Sequence, residues 1–274
     1  MTEFFRKNKL ALAGFLIVVA LAFVAIFAPW LAPYDPAAQK LPDRLEGPTW
    51  NHPFGNDELG RDILSRILLG TRVSMRVGAT VVLLSVIVGV LIGGFAGYIG
   101  GKFDIFVTVL VVNSLMAFPG ILLAIALVAF LGPGLDRLIF ALVAISWVGY
   151  ARLARGQVLK VKTLEFVEGA RALGASSPRI FINHILPNII QPVLIQASIG
   201  MAVAILSEAS LSFLGLGIAP PTPSWGSMLN DARNHLFDAP HMVIFPSIAL
   251  VMTVLSFNFL GDALRDWLDP RNLG

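Results

Sequence analysis

EGARALGASSPRIFINHILPN, residues 168–188, decides the fold, because it is polar and lies between long apolar runs. It contains two arginines, a glutamate, a histidine, two glycines and two prolines. The 274-residue chain around it is 56% hydrophobic, only 14% charged, and has a mean hydropathy of +0.79. So few charges cannot give a soluble globule of this size a solvated surface. The composition therefore predicts a membrane protein in which residues 168–188 belong to a loop between spans.

Six apolar runs are candidate membrane spans. A helix rises 1.5 Å per residue, so about 20 residues cross the hydrocarbon layer. We predict spans at residues 10–30, 77–99, 105–131, 138–150, 189–206 and 242–260, with a kink at Pro119 and Gly120 in the third. The fourth run is short and crosses only if Arg137 and Arg152 snorkel toward the interfaces. The first run is a retained anchor, since it is too long for a signal-peptide core and no clear cleavage site follows it.

The basic residues orient these spans. With the N-terminus inside, 12 of the 20 lysines and arginines fall in cytoplasmic segments, as the positive-inside rule expects. Six of the other eight lie between the first two spans, against the rule. We predict that both termini are cytoplasmic and that the net charge of +3 reflects topology rather than nucleic-acid binding. The predicted divisions are an N-terminal anchor helix and external segment at 1–71, a transmembrane domain at 72–261 and a cytoplasmic tail at 262–274.

Residues 152–188 form the largest cytoplasmic loop in this orientation, and their pattern predicts two short helices. Thr163 is expected to cap the first helix and Gly174 to end it. Ser177 and Pro178 are typical of the N-cap and first position of a second helix, which Pro187 is expected to stop. An apolar stripe on the first helix is formed by Phe166, Ala170 and Leu173. Such a stripe either binds a partner protein or lies on lipid headgroups, and the spacing leaves both open.

The same stretch resembles the coupling motif of ABC importer permeases. That motif consists of EAA, three residues, glycine, nine residues and IxLP, and it marks the loop that inserts into a cleft on the ATPase subunit. Two positions depart from it, because Gly169 replaces an alanine and His184 replaces the isoleucine. The resemblance implies coupling to an ATPase through Glu168, Gly169, Ala170, Arg171, Gly174, Ala175, Leu186 and Pro187.

Three further segments, 52–66, 207–229 and 257–270, resemble the C-type permease of the dipeptide/oligopeptide uptake group. The resemblance implies an all-α, polytopic fold of the type I ABC importer permease class, in a bacterial-type inner membrane and in contact with lipid. It also implies a second permease subunit in a heterodimer, two ATP-binding subunits that hold ATP and Mg, and an extracytoplasmic substrate-binding protein. Together these subunits would import peptides or related small solutes by alternating access.

Each of two predicted external segments is compatible with two roles. FGNDELGRDILSR, residues 54–66, predicts a helix capped by Asn56, with Asp57–Arg61 and Asp62–Arg66 as i,i+4 pairs. This helix is either a solvated surface element or a contact for another subunit. GLGIAPPTPSWG, residues 215–226, predicts a stiff, non-helical segment. It is either a plain interfacial turn or the external gate and binding-protein contact, formed by Gly215, Gly217, Pro220, Pro221 and Trp225. Glu208, at the end of the fifth span, is expected to face interfacial water, and Asn113 to bond another helix.

Several kinds of chemistry are not expected on this chain. It has no cysteine, its four histidines lack metal-ligand spacing, and no GxxxxGK[ST] loop is present, so we expect no metal, catalytic or ATP site. An ion-gradient-driven secondary transporter or channel is the alternative function, and it would need acidic groups at bilayer depth. An intramembrane enzyme would need a nucleophile beside a base, which no serine in the spans has in sequence.

Overall fold

A computed structural model describes residues 9–268, and helices make up most of that part of the chain. Its longer helices are α1 Lys9–Leu31, α2 Ile63–Ile99, α3 Gly101–Met116, α4 Gly120–Leu131, α5 Leu135–Val161, α6 Glu165–Ala172, α7 Ser177–Phe213, α8 Trp225–Ala232 and α9 His241–Leu268. Short 3₁₀ turns lie at Leu41–Asp43 and Arg233–His235. The predicted cytoplasmic residues before Lys9 and after Leu268 lie outside the described residues.

Five of these helices are long and apolar enough to cross a membrane, and α3 with α4 gives a sixth, broken span. The prediction of about six transmembrane helices and an all-α fold is confirmed. The break between α3 and α4 bends the chain by 83°, at Pro119 and Gly120 as predicted. A wider π turn at Phe106–Val112 also interrupts α3.

Several of the membrane helices are longer than the predicted spans. Helix α2 begins at Ile63 rather than at residue 77, because Asp62 caps it and its polar first turns pack against protein rather than lipid. Helix α5 continues to Val161, well beyond residue 150, because Arg155 is paired with a carboxylate. Helix α9 extends to Leu268, so residues 262–268 of the predicted tail are helical.

The closest helix packing is between α2 and α5, and glycines make it possible. Gly89, Gly93 and Gly97 follow one another at four-residue spacing on one face of α2. A methyl group on Gly93 would overlap the carbonyl of Ala151, and one on Gly97 would lie 3.0 Å from the carbonyl oxygen of Arg155. Small residues of this kind let two helix backbones approach within a membrane. This pair makes the most extensive helix–helix contact in the described part of the chain.

The bundle has two distinct ends. Helix α5 begins beside the 215–225 segment, where the Gly134 amide bonds to the Gly217 carbonyl at 3.2 Å. It then leads to α6, and α7 returns from α6 to α8. We call these the α6 end and the α8 end. Helices α1 and α9 pack together at one side, with Gly14 against Phe259.

Candidate functional site

Helix α6 is a short, polar helix between two membrane helices. It begins at Glu165, and Leu164 is its N-cap residue, without a capping side chain. Thr163 was expected to cap this helix, but its hydroxyl instead donates to the Lys160 carbonyl at 3.0 Å. Thr163 therefore closes the last turn of α5. Glu165 and Glu168, the two acidic residues in the first turn of α6, interact favourably with the positive end of the helix dipole.

The C-terminal end of α6 is fixed by a Schellman motif. The Ala175 amide donates to the Ala170 carbonyl at 3.1 Å, and the Gly174 amide donates to the Arg171 carbonyl at 3.0 Å. Gly174 has a φ of +81°, which residues other than glycine and asparagine rarely adopt. The prediction that Gly174 ends this helix is confirmed.

Residues 162–188, which comprise α6, the turns beside it and the first turns of α7, are here called the α6 hairpin. Its base is an apolar cluster between α5 and α7. The buried members of this cluster are Ala154, Val158, Val161, Val167, Ile180, Phe181, Ile185 and Ile189. Three of the predicted coupling residues, Ala170, Ala175 and Leu186, pack against this cluster. These three side chains hold α6 to the ends of the membrane helices rather than presenting a surface.

The remaining predicted coupling residues are exposed on the α6 hairpin. Glu168, Gly169, Arg171, Gly174 and Pro187 are exposed. The apolar stripe differs from the prediction, because Ala170 packs inward. The exposed apolar side chains are Leu164, Phe166 and Leu173, and 90% of the Leu173 surface is accessible. An apolar residue this exposed, at the tip of a rigid polar hairpin, is typical of a protein interface.

At the α8 end, residues 52–62 form a largely buried turn, and only residues 63–66 of the predicted surface helix are helical, as the start of α2. Asn56 pairs with Asp62 in an isolated bridge, and Asp62 caps α2 by accepting from the Ser65 amide at 2.7 Å. Asp57 binds Arg61, with the Nε and Oδ2 atoms 2.6 Å apart. The sequence pattern missed this turn because Gly55 and Gly60 adopt positive φ angles that a helix cannot contain.

A network of four charged residues joins this turn to α8. Arg61 also bonds Asp231, at 3.2 Å, and Arg66 lies 3.4 Å from Asp57 and 3.6 Å from Asp231. The predicted Asp62–Arg66 pair is replaced by these contacts. Burial raises the pKa of the Asp231 carboxyl, against the opposing effect of the two arginines. The network therefore fixes the long segment after α1 to the α8 end of the bundle.

The five residues predicted to form a gate or binding-protein contact are divided by the structure. Gly215, Pro220 and Pro221 are exposed, whereas Gly217 and Trp225 are buried. Trp225 was expected at an interface, but its side chain is fully buried and its Nε1 donates to the Ile67 carbonyl at 3.3 Å. The exposed part of this loop borders a recess of about 260 Å³, which Arg61, Ser227, Asn230 and Asp231 also line.

Comparisons with known proteins give the family of this chain. The glutathione transport system permease protein GsiD of Escherichia coli O1:K1 is 46% identical over 271 residues, which cover 98% of this chain and 89% of the relative. GsiD of Pectobacterium atrosepticum is 46% identical over 268 residues, which cover 97% and 89%. The family model for binding-protein-dependent transport system inner membrane components matches residues 89–273. This chain belongs to that family. A second model, the N-terminal TM domain of oligopeptide transport permease C, matches residues 3–48.

The chain is therefore a permease subunit of an ABC importer and a multi-pass membrane protein, as its sequence motifs predicted. The permease joins α6 to the membrane in a way that the sequence did not predict. Pro187 was expected to stop the second helix of the loop, but α7 runs unbroken from Ser177 to Phe213. A π turn at Phe181–Ile185 precedes Pro187, and the Leu186 amide bonds to the Phe181 carbonyl five residues back. The wider turn accommodates a proline that would otherwise clash with the preceding turn.

Sequence reasoning also missed an ion pair at the α6 end of the permease. Arg155 Nε lies 2.5 Å from Asp104 Oδ1, and the Arg155 Nη2 bond to Oδ2 is 2.7 Å. Nearby, the Lys162 ammonium donates to the Gly97 carbonyl at 2.8 Å. These contacts tie the turn between α2 and α3 to the last turns of α5. Their partners are far apart in sequence, so no local pattern signals them.

Glu208 of the permease was predicted to face interfacial water, but it is fully buried. Its carboxyl oxygens accept from the Ser74 hydroxyl at 3.1 Å and from the Ser212 hydroxyl at 2.7 Å. These bonds join α2 to α7 near the α8 end. Asn113, which was expected to bond another helix, has an exposed side chain that lines a cavity of about 310 Å³ with Arg152 and Arg155.

Proposed function

We propose that this permease is one of two different permease subunits in an ATP-driven importer of small peptides, glutathione among them. The observation that carries the proposal is the α6 hairpin, which combines a rigid apolar base with an exposed tip at Leu173. The 46% identity to permeases named for glutathione transport supports a peptide substrate. The match to the oligopeptide permease C model supports the same substrate class.

In this proposal α6 is the coupling helix, and each of two ATP-binding subunits receives one such helix in a surface cleft. Glu168, Arg171 and Leu173 supply an acidic, a basic and an apolar contact to that cleft. ATP and Mg are held by those partner subunits, and this chain has no ATPase site of its own. Gly174 and Pro187 act by shaping the hairpin, and Gly169 leaves open space at its surface.

The orientation follows from this role. If α6 meets ATP-binding subunits, the α6 end is cytoplasmic, and both chain termini are on that side of a bacterial-type inner membrane. The exposed loop at Gly215, Pro220 and Pro221 is then extracytoplasmic. We propose that it contacts the substrate-binding protein or closes the outer gate.

Transport requires that ATP-bound subunits favour one permease conformation through their contacts with α6. A partner that bound both conformations equally would shift nothing, however tightly it docked. The hairpin base transmits the difference, since α6 packs against the ends of α5 and α7 in one apolar cluster. Both helices then tilt as rigid bodies between inward-open and outward-open states.

The test compares two exposed apolar residues at opposite ends of the bundle. Leu173→Ser is expected to weaken retention of the ATP-binding subunits on the purified permease complex and to lower uptake. Trp50→Ser, at a side chain that is fully exposed in the predicted external segment, is the matched control and should retain them. Equal retention and unchanged uptake in the Leu173 variant would contradict the coupling role. Uptake into vesicles that needs an ion gradient and no ATP would support a secondary transporter instead.

A further inference from the structure

A cavity of about 140 Å³ lies between α2, α5 and α7, and one polar group beside it has no partner. The Tyr150 side chain lines the cavity and is 4% exposed. Its hydroxyl makes no hydrogen bond to any of the described residues. A buried hydroxyl without a partner costs about 1–3 kcal/mol, so its presence calls for an explanation.

Gly200 of α7 provides the space that this hydroxyl occupies. A methyl group on Gly200 would overlap the Tyr150 hydroxyl, which therefore lies directly against the bare helix backbone. Ser146, Gly149 and Gln196 line the same cavity. The hydroxyl is thus part of a group of polar and small residues on facing sides of two helices.

The cavity lies between the central parts of two membrane-spanning helices. Gly149 lies near the middle of α5, which spans Leu135–Val161, and Gln196 lies near the middle of α7, which spans Ser177–Phe213. Both residues are exposed in the single chain. Uncharged polar side chains at this depth are placed poorly against lipid, and they generally face the bundle interior or a water-filled path. This face of the helix pair is therefore suited to an aqueous path rather than to lipid.

The chemistry of the lining suits an uncharged polar part of a ligand, while the ionised termini of a peptide stay outside the cavity in water. None of the residues that line the cavity is charged, so an ionised carboxylate or ammonium group would lose its hydration here without an opposite charge. The Tyr150 hydroxyl and the Gln196 amide can each donate and accept a hydrogen bond. A peptide bond, which has one donor and one acceptor, matches this pair of groups.

We propose that the cavity lined by Ser146, Tyr150 and Gln196 is a transit site that binds the backbone amide of a peptide as it crosses the membrane. The inference rests on the proposed function and adds the place where the permease itself touches its cargo. Tyr150 is a binding residue, because its hydroxyl, which the Gly200 backbone covers in this conformation, contacts the substrate when α5 and α7 move apart. Gly200 is a positioning residue, because its lack of a side chain sets the position of that hydroxyl.

The test removes one hydroxyl at the cavity and one elsewhere. Tyr150→Phe deletes the proposed contact. Ser85→Ala deletes another fully buried hydroxyl of the spans, which also has no partner among the described residues but does not line this cavity. Each variant is reconstituted in the complete importer, with radiolabelled glutathione and dialanine as probes at saturating loaded binding protein. Transport rate, basal ATPase activity and melting temperature are measured for each complex.

Tyr150→Phe is expected to lower the transport rate about five- to tenfold, the effect of one lost hydrogen bond to substrate. Its melting temperature should be unchanged or higher, since the variant buries no unpaired hydroxyl. Ser85→Ala should transport at the wild-type rate. This separation of transport from stability is not expected if Tyr150 only packs.

Two results would overturn the inference alone, and a third would overturn the proposed peptide substrate with it. Wild-type transport by Tyr150→Phe would remove the transit site while leaving the importer role intact. Loss of the second permease from the purified Tyr150→Phe complex would assign the hydroxyl to the subunit interface. If the wild-type complex hydrolyses ATP but transports neither probe, the peptide substrate itself is wrong, and that result needs no variant.

Discussion

Substitution of Gly174 tests whether the shape of the α6 hairpin couples the permease to its ATPase. Gly174 has a φ of +81°, and no atom lies within 4 Å of the position that a Cβ would take. The whole cost of a side chain here is therefore conformational. For alanine in the left-handed region that cost is about 1–2 kcal/mol, whereas asparagine adopts the region more readily. A β-branched valine is more costly than alanine.

The expected order of ATPase stimulation by loaded binding protein is Gly174, then Gly174→Asn, Gly174→Ala and Gly174→Val. A cost of about 1.4 kcal/mol corresponds to a tenfold lower population of the native hairpin end, so Gly174→Ala should need correspondingly more binding protein for half-maximal stimulation. The melting temperature of the permease should change little, because the distorted turn is local and exposed. Gly169→Ala is the matched control.

Gly169 lies inside α6, and a Cβ there would also meet no atom within 4 Å. Alanine at this helical position should stabilise α6 by up to about 1 kcal/mol and leave stimulation intact or improved. Two results would refute the reasoning. One is equal stimulation by the alanine and asparagine variants of Gly174. The other is loss of stimulation in Gly169→Ala, which would mean that bulk at the surface, and not backbone conformation, decides coupling.

Substitutions at three other contacts test how the bundle is held together. Glu208→Ala should lower the unfolding stability by about 3 kcal/mol in thermal unfolding in detergent, because two buried serine hydroxyls lose their acceptor. Glu208→Gln should lower the stability by less. Gly93→Ala should cost at least about 1–3 kcal/mol in the same assay, because its methyl group would overlap the Ala151 carbonyl. Arg155→Lys should lower unfolding stability by about 1 kcal/mol, because lysine makes one hydrogen bond to Asp104 where arginine makes two. If the stability losses of Asp104→Asn and Arg155→Lys add up in the double variant, the two side chains do not interact directly.

The number of spans and the position of the α6 hairpin could be predicted from sequence because both depend on local signals. Apolar runs of membrane length identify the spans, and the glycine at residue 174 identifies the helix end. The span limits were less predictable, since hydropathy describes what lipid accepts. The polar first turns of α2 are buried in protein instead, against α8 and the turn before Asp62. Tertiary contacts of this kind extend a helix beyond its apolar run.

The side-chain clusters could not be predicted, because their members are distant in sequence. Asp57 and Asp231 bind the same two arginines from segments that sequence spacing cannot relate. The spacing did suggest the Asp57–Arg61 pair, but it assigned that pair to a helix. Only the glycines at 89, 93 and 97 gave a usable signal that was overlooked, since their four-residue spacing marks a close helix contact.

The continuity of α7 determines how a movement of the α6 hairpin would reach the proposed transit site. At 1.5 Å per residue, Gln196 lies about 28 Å along the helix from Ser177, and Ser212 lies about 24 Å beyond Gln196. Pro187 and Pro192 lie within this helix without ending it. A displacement at Ser177 therefore reaches the helix centre as a tilt of one rigid element. The other end is bonded to α2 through Glu208, so the tilt is largest at the α6 end and moves Gln196 relative to Tyr150.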